Sequence, residues 1–194
     1  MAYEGLLFSF AEMEREIENF RLSAEKFIET NTSVWLIPQW LRELKTFRGR
    51  EPGASMTWEI GEQHPLETVV SDGKFDRNAG MKVFGRISSK WQISVPRERS
   101  VPKKGTIRSH FIVNGLASTR ISVWKLVDES DPVEIARWTI EIGDEDSPGC
   151  HFHSQMPLED SGSPMFPKAL PVPRLPTLFV TPMDAMEFVL SELF

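Results

Sequence analysis

The sequence predicts an α+β fold: an antiparallel β-sheet or partly open barrel, flanked by N-terminal helices and a docked C-terminal helix. Three observations predict it. Apolar residues recur at helical spacing up to about residue 49, at a spacing of two over 56–156, and at helical spacing again over 181–194. The period-two runs follow one another with turn residues between them, as antiparallel strands do. No β-α-β alternation occurs, which removes the doubly wound folds. At 194 residues the chain fits one domain that can bury its own core.

Residues 4–29 read as a helix. Leu6, Phe10, Met13, Ile17, Phe20, Ala24 and Phe27 alternate spacings of four and three, with charged residues between them. Such a stripe docks on the chain's own core or pairs with a partner through Phe10, Met13 and Ile17. After a turn at 30–33, Pro38 suits the first turn of a second helix, 38–48, with Trp40, Leu41, Leu44 and Phe47 apolar and Gly49 as its stop.

The strands begin with "MTWEI" and "ETVVS". In "MKVFGRISSKWQISVP" Met81, Val83, Ile87, Trp91, Ile93 and Val95 share one parity and Arg86, Ser88, Lys90, Gln92 and Ser94 the other, with Phe84 the exception. "TIRSHFIVNG" repeats the habit. "ASTRISVWKLV" and "VEIARWTIEIG" flank "DESDP" as a hairpin, the second strand burying Ala136, Trp138, Ile140 and Ile142, and "FHSQM" follows as a further strand. Residues 157–180 carry prolines that stiffen an extended strap. The chain ends in a helix with Thr181 as N-cap, Pro182 at its first position and Asp184 completing a capping box.

Charge is sorted along the chain. The net charge is −6, which disfavours general nucleic-acid binding. Yet residues 86–108 carry seven bases and one acid, while 128–160 carry ten acids and one base. The basic segment, with Arg97, Arg99, Lys103 and Lys104 at its centre, suits an acidic protein patch, a second copy of this chain, or less favourably phosphates. The single cysteine excludes an intrachain disulfide. With no secretory leader and no long apolar run, the expectation is a cytoplasmic protein with no membrane span.

The chemistry-bearing stretch is "PGCHFHSQ", 148–155. On a strand His151 and His153 share a face, as two ligands of one divalent transition metal would. His-x-His on a strand followed by a glutamate resembles the cupins, and that resemblance implies a metal held by His151, His153 and Glu159. Here Glu159 comes six residues after His153, and the second cupin half-motif is missing, so His110 would have to supply a further ligand. The same histidines with His110 also suit metal-free acid–base catalysis of the kind small ribonucleases use. Cys150 alternates away from His151, against a Cys-His dyad. Phosphate-binding glycine loops, Gly-x-Ser-x-Gly, His-Glu-x-x-His and Cys-x-x-Cys are all absent. The leading expectation is a protein-interaction module, a subunit of a larger assembly, working through amphipathic helices and segregated charge. A histidine-dependent enzyme is the alternative.

Overall fold

The computed structural model describes residues 6–30, 34–71, 82–97, 109–127, 131–142, 150–155 and 181–194. In chain order the elements are β1 (Leu6–Ser9), α1 (Phe10–Ala24), α2 (Leu36–Phe47), β2 (Ser55–Ile60), β3 (Leu66–Glu67), β4 (Val83–Ser94), β5 (His110–Lys125), β6 (Val133–Ile142), β7 (Cys150–Gln155) and α3 (Pro182–Leu193). The seven strands form one antiparallel sheet in the order β2-β4-β5-β6-β7, with β1 added to β5 and β3 to β4. The sheet curls into a half-barrel, and helices from both ends of the chain accompany it, so the α+β architecture is as expected.

The first element departs from the sequence expectation. Leu6–Ser9 is a strand paired with His110–Val113, and the helix starts only at Phe10. Ser9 has an extended backbone and its hydroxyl accepts a 3.4 Å hydrogen bond from Glu12 N–H, so it ends the strand and caps the helix in one residue. Phe8 gains a stack on Phe111, with ring centroids 5.6 Å apart, that a helical continuation would forfeit.

From Phe10 onward the apolar stripe holds. Phe10, Met13, Ile17, Phe20 and Ala24 are all buried in the chain's own core. Phe10, Met13 and Ile17 are therefore spent inside the molecule rather than offered to a partner, with Phe10 and Ile17 at 0 % exposure. Helix α2 starts two residues earlier than expected, at Leu36, and Pro38 sits in its first turn, where its missing N–H costs nothing. Trp40, Leu41, Leu44 and Phe47 face the core, and Gly49 follows the last turn as expected.

Strand β4 buries Val83, Ile87, Trp91 and Ile93, the predicted parity. The two runs read as separate strands around Asn114 and Gly115 are one strand, β5. The ladder records the interruption as an irregularity: Trp91 pairs with Ala117 and Ile93 with Val113, so two steps on β4 match four on β5. Extra residues on one strand bend it, and here they divide β5 between β1 at its start and β6 over the rest. The β5–β6 hairpin forms as expected; Ile140 is buried, while Ala136 and Trp138 are half-buried against the core. The proline-rich segment, Arg99, Lys103, Lys104 and Glu159 lie outside the described residues.

Helix α3 carries the predicted capping box. Thr181 N–H donates to Asp184 Oδ2 at 2.9 Å, and Asp184 N–H donates to the Thr181 hydroxyl at 3.3 Å. Its buried face, Met183, Met186, Val189 and Leu193, lies against β4, β5 and α1. The approach to the sheet is set by Gly85. A Cβ there would stand 2.9 Å from Val189 Cγ1 and 3.2 Å from Leu193 Cδ1. The Gly85→Ala variant should therefore lose about 1–3 kcal/mol through overpacking, read as a lowered Tm at about 2–4 °C per kcal/mol. An unchanged Tm would mean that α3 sits elsewhere.

Glu16 of α1 faces the start of α3. Burial raises its carboxyl pKa first, and the charge of Asp184 second, against a hydrogen bond from Thr181; Glu12 and Arg15 contribute smaller opposing effects. Its Oε2 is buried without a hydrogen-bond partner among the described residues. The folded protein thus holds this proton to higher pH than the unfolded chain. The favourable contribution is complete below the ordinary value of 4.5 and lost as pH rises through the raised value. Glu16→Gln should raise Tm at about pH 7 and lose that advantage at about pH 4. Destabilisation at neutral pH would contradict the assignment.

Candidate polar-face site

The two faces of the sheet differ because side chains alternate. One face carries Ile87, Ser89, Trp91, Thr119, Ile121 and Val123 and is buried, its two hydroxyls satisfying each other across Ser89–Thr119 at 3.1 Å. The other face carries charge. Register aligns it in rows: Glu59, Lys90, Ser118 and Glu141 in one, then Ser88, Arg120 and Thr139, then Glu67, Arg86, Ser122 and Arg137.

Three arginines on this face each hold one glutamate. Arg86 Nε donates to Glu67 at 2.6 Å, Arg120 Nη1 to Glu62 at 2.8 Å, and Arg137 to both carboxylate oxygens of Glu134 at 2.6 and 2.8 Å. Phe84, the residue that broke the expected alternation, belongs to this group. The Arg86 guanidinium lies 5.2 Å from its ring centre and 4.5 Å from that of Trp124, so the cation covers both rings. The Trp124 indole N–H donates to Ser122 Oγ at 2.8 Å.

The loop between β2 and β3, residues 61–65, folds over this face and brings Glu62 to Arg120. Ser88 and Ser122 are buried despite lying on the charged side. Two adjoining cavities result. One of about 470 Å³ is lined by the three arginines, their glutamates and Trp124. The other, about 830 Å³, runs beside α2 and β2 between Trp35, Trp40, Met56, Glu59 and Lys90. They share Glu62, Gln63, Ser88 and Arg120.

The histidines of the cupin-like stretch lie on β7, the outermost strand of the path. His151 pairs with Glu141 and His153 with Thr139. Thr139 in turn pairs with Arg120, so one cross-strand row runs from His153 to Arg120. His110 lies at the opposite end of β5, paired with Ser9, its Nδ1 2.7 Å from Ser109 Oγ. Along β5 it is eight residues from Ser118, roughly 26 Å at about 3.3 Å per residue, and Ser118 is two strands from His151. The ladder does not set His110 beside the pair. Among the described residues no group of three or more His, Cys, Asp or Glu could hold a metal ion. Arg97 is exposed past the end of β4.

Sequence reasoning missed Arg120, Arg137, Glu62, Glu67 and Glu134. Their signal was available in part: the polar parity of "ASTRISVW" already put Arg120 beside Ser118 and Ser122. The glutamates that face the arginines arrive from loops and neighbouring strands, which parity does not reveal. Among the described residues no helix is long and apolar enough to cross a membrane. Compared with protein-family models, with curated proteins and with solved structures, the chain matches none.

Proposed function

We propose that this protein is an interaction module whose binding surface is the charged face of the sheet, and that it works as a subunit of a larger assembly. One observation carries the reading. The apolar faces of α1, α2 and α3 are buried in the chain's own core, whereas two connected cavities walled by arginine, lysine, glutamate and tryptophan open at the charged face, the larger running past β2 to α2. Charge arranged in this way gives partner selection and orientation more than bulk affinity. The expectation that amphipathic helices recruit the partner is replaced: the helices build the platform, and the sheet presents the contacts.

A second reading has its own observation. The row from His153 through Thr139 to Arg120 places a histidine position two strands from a guanidinium on one sheet. Histidine with arginine suits acid–base chemistry on an anionic substrate.

Site-specific photo-cross-linking separates the two. A photoreactive residue at Lys90 should give a discrete adduct in the source cells, and one at Lys45 on α2 should not. Arg120→Glu should abolish the adduct, and His151→Ala with His153→Ala should leave it intact. Equal labelling from both positions would refute the interface. Loss of the adduct on removing the histidines would favour the enzyme.

A further inference from the structure

Two buried side-chain donors on the described residues have no hydrogen-bond partner, Trp40 Nε1 and Arg120 Nε. Both residues line the 830 Å³ cavity. Buried polar groups in folded proteins are almost always satisfied, so a movement that opens either nitrogen to the cavity offers it an acceptor it now lacks. Leaving them unmade is costly, most of all for a charged donor.

Charge decides which acceptor. The adjoining cavity holds Arg86, Arg120 and Arg137 against Glu62, Glu67 and Glu134, three cations against three anions. The three carboxylates are not equally held. The side chains of Glu67 and Glu134 are 22 % and 14 % exposed, whereas that of Glu62 is 66 % exposed and reaches Arg120 from a loop. An exposed ion pair of this kind is worth little, about 0–1 kcal/mol. If Glu62 leaves, the Arg120 guanidinium is uncompensated, while the larger cavity adds Glu43 and Glu59 against Lys90. A doubly charged ligand such as phosphate is opposed by those carboxylates more strongly than a single charge is.

We propose that Arg120 is the receptor for the carboxylate of a monoanionic ligand, that this carboxylate displaces Glu62, and that the ligand's body lies in the larger cavity beside Trp40 and Met56. A planar carboxylate matches the Nε–Nη2 edge of a guanidinium with two parallel hydrogen bonds. In the present arrangement Glu62 holds Nη1, where its charge opposes a second carboxylate on the neighbouring edge, and Nε is shut from solvent, so entry requires the 61–65 loop to lift. The inference rests on the charged face being the binding face, and it names what that face binds. Both a small organic acid and the C-terminus of a peptide present this carboxylate.

The test is calorimetric titration of the full chain at fixed ionic strength, with chloride as the control anion. Probes are sodium benzoate, an acetylated tetrapeptide with a free C-terminus, and the same peptide as its amide. The expected result is saturable binding of benzoate or the free-acid peptide and none of the amide. Arg120→Lys, which keeps the charge but not the fork, should weaken it at least tenfold. Glu62→Gln removes the resident competitor and should tighten it, by up to about fivefold. Tighter binding of the peptide assigns the carboxylate to a chain terminus; tighter binding of benzoate assigns it to a small acid. No saturable binding by Glu62→Gln at about 10 mM of either acid, or equal binding by Arg120→Lys, would overturn the proposal. Its failure leaves the cross-link from Lys90 untouched, and loss of that cross-link leaves the titration untouched, so the two claims fail separately.

Discussion

The fold turns on an aromatic cluster that fastens both N-terminal helices to one face of the sheet. Trp40 of α2 stacks on Trp58 of β2, with centroids 4.0 Å apart and planes 11° from parallel. Trp58 meets Trp91 of β4 and Phe111 of β5 edge-on, and Phe111 meets Phe10 of α1 at 5.0 Å. The Trp58 indole N–H donates to the Trp40 carbonyl at 3.0 Å, so the stack is also a polar link. Each such ring pair adds about 0.5–1.5 kcal/mol beyond burial. Once these rings hold one face against the helices, strand alternation sends every intervening side chain to the other side. The charged face is the geometric complement of the core.

That complementarity connects the core to the proposed function. Trp40 belongs to both: its ring is part of the stack, and the same residue lines the larger cavity. Arg120 is tied to the core through its neighbour Ile121, fully buried on the opposite side of the same strand. A site built on such strands is held more rigidly than its cover, and here the cover is the short loop carrying Glu62. A receptor on a strand beneath an exposed carboxylate on a loop is the arrangement that the proposed exchange needs.

Much of this was legible in the sequence, and the boundary has a physical cause. Thr181, Pro182 and Asp184 announced α3 because caps are made by neighbours three residues apart. The parity of Val83 to Val95 announced β4 because alternation is local. Leu6–Ser9 was misread because its partner, His110–Val113, lies about a hundred residues away, and the four residues also fit a helical stripe. The single strand β5 was read as two because Asn114-Gly115 has the chemistry of a turn, here absorbed by a bulge in a continued ladder. Of the site, parity put Arg86 on the polar side of β4 and left Arg120 unread in "ASTRISVW", and the pairing of the two with Glu67 and Glu62 depends on β3 and a loop docking onto β4 and β5. The histidine pair drew attention because its spacing is conspicuous, whereas the arginine site has no spacing at all, since β4, β5 and β6 each contribute one cation.

The most direct test observes the Arg120 guanidinium itself. In a ¹⁵N-correlated spectrum of the full chain, the Nε–H signals of Arg86, Arg120 and Arg137 are assigned by substituting each in turn, and benzoate is titrated against matched chloride. The Arg120 signal should move to a saturated position while those of Arg86 and Arg137, paired with Glu67 and Glu134, stay near their starting shifts. An unmoved Arg120 signal, or all three drifting together without saturation, would contradict the proposed exchange.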